Sequence, residues 1–226
     1  MADYRLIVPF IKEKEGGISN KKSDKASANP VPDGSGNHTN RGVTWATWKS
    51  VFGTGADSIK RFYAMSDADW GTIYKPLYWD AIGGDKINSQ RIADTLVHWA
   101  WGSGIYKPAT AIQSIVGVKV DGKIGNQTIN AINNSNEADT YAKIKQAHIN
   151  HWTNLLKSPE YSMNKGWIPR LNDLFGGYMT SIKDVVSSGV TTGVTKAKKN
   201  PIITGIIVLT IIGGAFLIYK ATKTKK

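Results

Sequence analysis

The chain of 226 residues contains no cysteine. Disulfide staples and thiolate chemistry are therefore excluded, and no redox compartment is implied. Histidine is scarce, at four residues. His148 and His151 stand at i, i+3 but lack the carboxylate of an HExxH-type site. They read as exposed helix histidines, and no metal or other cofactor is expected. The basic balance comes without a helix-turn-helix, zinc spacing or RNP signature, which argues against a specific nucleic-acid partner. The opening residues, MADYRLIVPF, have neither a basic start nor a long apolar core, so no secretory leader is expected there. Internal repeats are absent. Strand signal is weak and confined to the stretch between Ile18 and Val43, where Asp33-Gly34 favours a tight turn.

Against this background one apolar run stands out. Ile202 to Tyr219 is 18 residues without a charge. As a helix it would rise about 27 Å, close to the hydrocarbon thickness of a bilayer. Pro201 suits its first turn and Tyr219 its interface. Lysines stand on both sides, so the positive-inside rule does not orient it. Seven of the net +12 charges are lysines from Lys196 onward, which leaves +5 on the rest. A modestly basic body suits an anionic polymer. The Ser-, Thr-, Gly- and Lys-rich stretch from Ser187 to Asn200 reads as a flexible tether.

The remainder reads as nearly all helix. Asp3 to Lys14 places Leu6, Ile7, Phe10 and Ile11 on one apolar face, stopped by Gly16 and Gly17 in a left-handed conformation. Thr44 caps a helix through Phe52, stopped at Gly53. Asp57 to Met65 follows, then a capping box of Ser66 and Asp69 opening a helix toward Tyr78 that Pro76 disturbs. Ser89 to Trp101 carries the stripe Ile92, Leu96, Val97 and Ala100, ending at Gly102. Pro108 to Val116 and Gln127 to Ile132 flank a turn-rich link, VKVDGKIG. Asn136 to Leu156 is a long helix, and Gly166 to about Val186 another. The expected fold class is an all-α body with a small irregular or β loop region, plus one C-terminal transmembrane helix. The expected divisions are a first lobe over 1–80, a helical lobe over 81–186 packed with it as one body, the tether 187–200, the membrane helix 201–220 and a basic tail 221–226.

Glu15 closes the first helix at the negative end of its dipole, beside apolar neighbours. Both effects disfavour a charged carboxylate, which suits a proton donor. The pattern E-G-G at Glu15, then Asp24, then Thr39-Asn40-Arg41-Gly42-Val43-Thr44-Trp45, resembles glycoside hydrolase family 108, whose members are phage-type N-acetylmuramidases. Lys21 and Lys22 replace the Asp-Pro usual in the loop, and the longer loop Lys25 to His38 looks like the version found in Bacteroidetes and their phages. YWDAIGGDKINSQRIADTLVHWAWGSG, VDGKIGNQTINAI and GWIPRL are similar to the peptidoglycan-binding region that usually follows. His98 and Gly102 stand where the family often has an acid and an Asn.

The resemblance implies a lysozyme-like fold and cleavage of the β-1,4 bond between N-acetylmuramic acid and N-acetylglucosamine. Glu15 would be the general acid, and Asp24 would orient water or stabilise an oxocarbenium-like transition state. Thr44, or failing that Thr39, would hold the water. Thr39, Asn40, Trp45, Tyr78 and Trp101 would contact sugar; Trp79 and Trp99 are stacking candidates too, although most of the four aromatics Tyr78, Trp79, Trp99 and Trp101 read as core. Asp121 and Gly122 would set the turn of the wall-binding region. Two alternatives stay open: a lytic transglycosylase using the same Glu, and a non-catalytic, membrane-tethered wall-binding protein. The expected partners are bacterial peptidoglycan, a bilayer through Ile202–Tyr219, and other virion membrane or capsid proteins. The expected place is the internal membrane of a phage virion, with the host inner membrane second.

Overall fold

The computed structural model describes residues 1–20, 30–158, 166, 169–176, 209–212 and 215–218. Two compact units are found, Met1–Phe175 and Gly176–Lys226. The first opens with α1 (Tyr4–Lys14), capped by the Asp3 carboxylate on the Arg5 amide. Ile7 and Ile11 are buried, whereas Leu6, expected on the same face, is 66% exposed. The helix ends differently from expectation. Glu15 itself turns to extended backbone (φ −93°, ψ 123°), while Gly16 and Gly17 stay out of the left-handed region. Helix exit here is set by the carboxylate residue, not by a glycine.

All short strands near the N-terminus lie where weak strand signal was expected. β1 (Ile18–Ser19), β4 (Thr39–Asn40) and β5 (Val43–Thr44) form an antiparallel sheet in the order β1-β4-β5. Asn40 opposes both Ile18 and Val43, and Thr39 opposes both Ser19 and Thr44. β2 (Pro30–Val31) and β3 (Gly36–Asn37) make a separate hairpin around Gly34.

Helices then follow in close order. α2 (Trp45–Phe52) is capped by Thr44, and α3 (Ala56–Tyr63) precedes α4 (Asp67–Tyr74), which opens on the expected Ser66–Asp69 capping box. Pro76 removes a helix donor. The chain answers with a π-turn over Lys75–Trp79, and so keeps Trp79 fully buried. α5 (Gln90–Ser103) is the central element: every residue from Ile92 to Ala100 is buried. A helix buried on all sides needs neighbours on all sides. α1, α6 (Tyr106–Val116) and α8 (Glu137–Leu156) supply them, with α7 (Asn126–Asn134) packed between α6 and α8.

α5 continues past Gly102 to a stop at Gly104, because Gly102 leaves room for the Trp152 ring of α8, 2.6 Å from where a Cβ would stand. A further helix, α9 (169–176), buries Leu171, Leu174 and Phe175. The Phe175 ring meets His148 edge-on, and Lys145 of α8 lies over it. His148 is wholly buried, against the expectation of an exposed histidine. Its ring stacks on Trp99 at 4.9 Å and sits 5.2 Å from His98. His151 is half-buried and meets the Ser103 hydroxyl.

In the second unit, β6 (Leu209–Ile212) and β7 (Ala215–Ile218) pair antiparallel, within the segment expected as a membrane helix. The rest of Ile202–Tyr219 lies outside the described residues, as do the expected tether and basic tail. Among the described residues no helix is long and apolar enough to cross a membrane.

Candidate active site

The site is built where α1 ends and the β4–β5 hairpin folds back on it. Because β1 starts just after Glu15 and pairs with β4, the β4–β5 turn is delivered to the Glu15 side chain. That turn is Arg41-Gly42, with φ +51° and +77°. A two-residue hairpin loop with both residues at positive φ matches the right-handed twist of its strands. Arg41 takes this uncommon conformation with support. Its guanidinium reaches the Met65 carbonyl at 3.0 Å and Asp67, and its carbonyl accepts from Trp70 Nε1 at 3.1 Å. Lys12 of α1 also pairs with Asp67, at 2.9 Å. These two cations hold the Asp67 carboxyl down at about 2.

Gly42 lies against the Glu15 carboxyl. A Cβ there would fall 2.6 Å from Glu15 Oε2 and 2.7 Å from the Trp101 ring. Only glycine allows this approach as well as this φ. Glu15 Oε1 accepts the Trp101 indole N–H at 2.9 Å and pairs with Arg170 Nη2 at 2.8 Å. The carboxylate side chain is 14% exposed. Its surroundings are thus not the apolar ones expected: an indole N–H and a guanidinium face one oxygen, and Gly42 faces the other.

An aromatic wall adjoins this carboxyl. Trp101 meets Tyr78 at 4.7 Å, Tyr74 at 5.4 Å and Trp70 at 5.6 Å. Trp70 and Tyr74 are buried, while Trp101 and Tyr78 are partly exposed. Burial raises the Tyr78 phenol above its ordinary value, partly offset by a hydrogen bond with Thr47. Thr47 in turn meets Thr44, whose Oγ1 accepts the Thr47 amide and lies 3.1 Å from the Thr47 hydroxyl. Thr44 is therefore committed to capping α2. Thr39 Oγ1, on the neighbouring strand, is buried and has no hydrogen-bond partner among the described residues.

Two residues expected to touch sugar are interior instead. Trp45 is 1% exposed and packs edge-on against Phe62. Asn40 is 4% exposed, and its amide donates to the carbonyls of Phe62 and Tyr63. Asn40 ties β4, and Trp45 ties the start of α2, to α3. Asp24 lies outside the described residues. Asp33, the other acid of that region, closes the β2–β3 hairpin: it accepts the Ser35 amide and hydroxyl and the Tyr63 hydroxyl. These donors lower its pKa. His38 joins the same cluster through Ser35, at 3.0 Å. Sequence reasoning missed Arg170, because nothing local in GWIPRL marks a partner 155 positions away.

In the second half, the expected turn is organised by one buried amide. Gln113 Oε1 accepts the Asp121 and Gly122 amides, and Nε2 donates to Asp121 Oδ1, the Lys123 carbonyl and Thr128 Oγ1. The Gln113 amide and the Lys123 N–H hold the Asp121 carboxyl below its ordinary range. Asp121 and Gly122 thus set the turn.

Residues 8–104 match the family model Glycosyl hydrolase 108, and residues 107–172 match the one described as Predicted Peptidoglycan domain. Among solved structures, one titled "Structure of Brucella abortus SagA" is similar to this chain, at 22% identity and a TM-score of 0.62. The match covers 78% of this chain and 93% of that one. The likeness is one of fold. No curated protein matches the chain.

Proposed function

We propose that this chain is a peptidoglycan hydrolase that cleaves the β-1,4 bond between N-acetylmuramic acid and N-acetylglucosamine, with Glu15 as general acid. One observation carries the reading. A largely sequestered carboxyl, held at one oxygen and abutting Gly42 at the other, borders partly exposed Trp101 and Tyr78 in the segment that matches a glycosyl hydrolase family. Oε1 already accepts from two donors, so in the neutral acid the proton resides on Oε2. Oε2 gives it to the glycosidic oxygen as the C1–O bond breaks, and positive charge develops on the sugar ring. The peptidoglycan-domain match directly after this segment supports the polymer as substrate.

A water molecule attacking C1 completes hydrolysis and yields a reducing end. Asp24 is our candidate for its activation, since Asp33 is occupied in closing a hairpin. Thr39, with its unpartnered hydroxyl, is favoured over Thr44 for holding that water. In the alternative outcome, the O6 hydroxyl of N-acetylmuramic acid attacks C1 and gives a 1,6-anhydro end. Mass spectrometry of the products from purified walls separates the two. Glu15→Gln keeps the shape and removes the transferable proton, so lysis should fall by several orders of magnitude with wall binding retained. Wild-type activity in Glu15→Gln would overturn the assignment.

We also propose that the apolar run Ile202–Tyr219 attaches the enzyme to a bilayer, in a virion membrane of a phage or, second, in a host inner membrane. Its uncharged length between lysines supports this. The full chain should float with liposomes and co-purify with virions, and a chain ended after Ser187 should lyse walls without floating. A truncated chain that still floats would refute it.

A further inference from the structure

The peptidoglycan-matching half does more than adjoin the catalytic segment: it reaches Glu15. Two residues of α9 contact the end of α1. Asp173 pairs with Lys14 Nζ at 2.8 Å. Arg170 Nη2 pairs with Glu15 Oε1 at 2.8 Å and also donates to the Lys14 carbonyl. That carbonyl belongs to the last turn of α1, where helix acceptors lack intrahelical donors and a cation is favourable. The remaining side of α9 is fixed, since Leu171, Leu174 and Phe175 are buried. Arg170 is itself 23% exposed and Glu15 14%, so the pair is only weakly screened.

The geometry points to Arg170 as a positioning residue for Glu15. We infer that its guanidinium, with the Trp101 indole, fixes Oε1 so that Oε2 alone presents the proton at Gly42. A planar guanidinium that grips a carboxylate and a main-chain carbonyl together sets the direction of the side chain as well as its charge. The catalytic centre is then shared between the two matched segments, and wall cleavage depends on α9. This rests on the reading of Glu15 as the acid.

The test uses the full chain and a soluble glycan of alternating N-acetylmuramic acid and N-acetylglucosamine. In Arg170→Met, kcat should fall about ten- to a hundredfold, the worth of a charged hydrogen bond, while KM changes less than about twofold. Arg170→Lys, which keeps the cation, should recover part of kcat. Asp173→Asn, which weakens the neighbouring tie only, should keep kcat near wild type. Binding to intact walls should be equal in all three. Unchanged kcat in Arg170→Met, alongside an inactive Glu15→Gln, would overturn the positioning role and leave the acid assignment standing. If instead kcat falls equally in Arg170→Lys and Asp173→Asn, with melting temperature and wall binding lost in parallel, the residue only holds α9 in place and the inference fails. An active Glu15→Gln would remove the premise itself.

Discussion

Gly42 is the residue at which backbone and chemistry meet. It is the second residue of a two-residue hairpin turn, and it leaves space for a carboxyl and an indole. Gly42→Ala would add a methyl 2.6 Å from Glu15 Oε2 at a φ of +77°. The positive φ alone costs on the order of 1–2 kcal/mol, and the carboxyl has to shift as well. We expect a fall in melting temperature and a drop in kcat of at least tenfold, measured on purified walls with the fold checked by circular dichroism. A variant with full kcat would show that Oε2 does not need this approach. Local capping chemistry was legible at this scale, in the Thr44 cap and the Ser66–Asp69 box. What was not legible were the partners of Glu15, since Trp101 and Arg170 come from distant helices. Trp45 and Asn40 turn inward instead, because a motif does not say which side of a short strand or of a helix's first turn faces the core.

Among elements, the segment from α6 to α7 depends on a single side chain. Gln113 is 1% exposed and satisfies both backbone amides at Asp121 and Gly122. Gln113→Leu matches its size but leaves those amides without their acceptor, and each such loss costs about 1–3 kcal/mol. Urea unfolding should show a stability lower by about 2–4 kcal/mol, and retention on purified walls should weaken. Unchanged stability would mean that the turn holds without the amide. The helices were largely foreseeable because caps and stops are local chemistry. Errors arose where tertiary packing overrode them. α5 runs past Gly102, against which Trp152 packs, whereas α1 ends at Lys14 as expected but without a left-handed glycine.

For the molecule as a whole, the buried histidines set an acid limit. His98 and His148 have no hydrogen-bond partner at either ring nitrogen among the described residues. Burial, with the charge of Arg170, lowers His98 to about 3, and burial lowers His148 strongly too. An unfolded histidine titrates near 6.5. Between these values the unfolded chain binds protons that the folded one refuses. Stability is thus fully present above about pH 6.5 and declines as pH falls toward the folded values, by about 1.4 kcal/mol per pH unit for each histidine. The urea midpoint should hold between pH 8 and 7 and drop steadily from 6.5 to 4.5, above the range where carboxylates intervene. His98→Leu should make that slope shallower, and an unaltered slope would remove His98 from the account. Sequence could not foresee this, because the i, i+3 spacing of His148 and His151 looked like a solvated face until α9 covered it.

Trp101 has a further consequence. Indole emission responds to the polarity and charge around the ring, and this indole touches a carboxylate, a glycine backbone and a second, partly exposed aromatic at once. On the proposed function, a sugar bound at Tyr78 should alter the light that Trp101 gives back, and the difference between wild-type and Trp101→Phe spectra isolates that change from the other seven tryptophans.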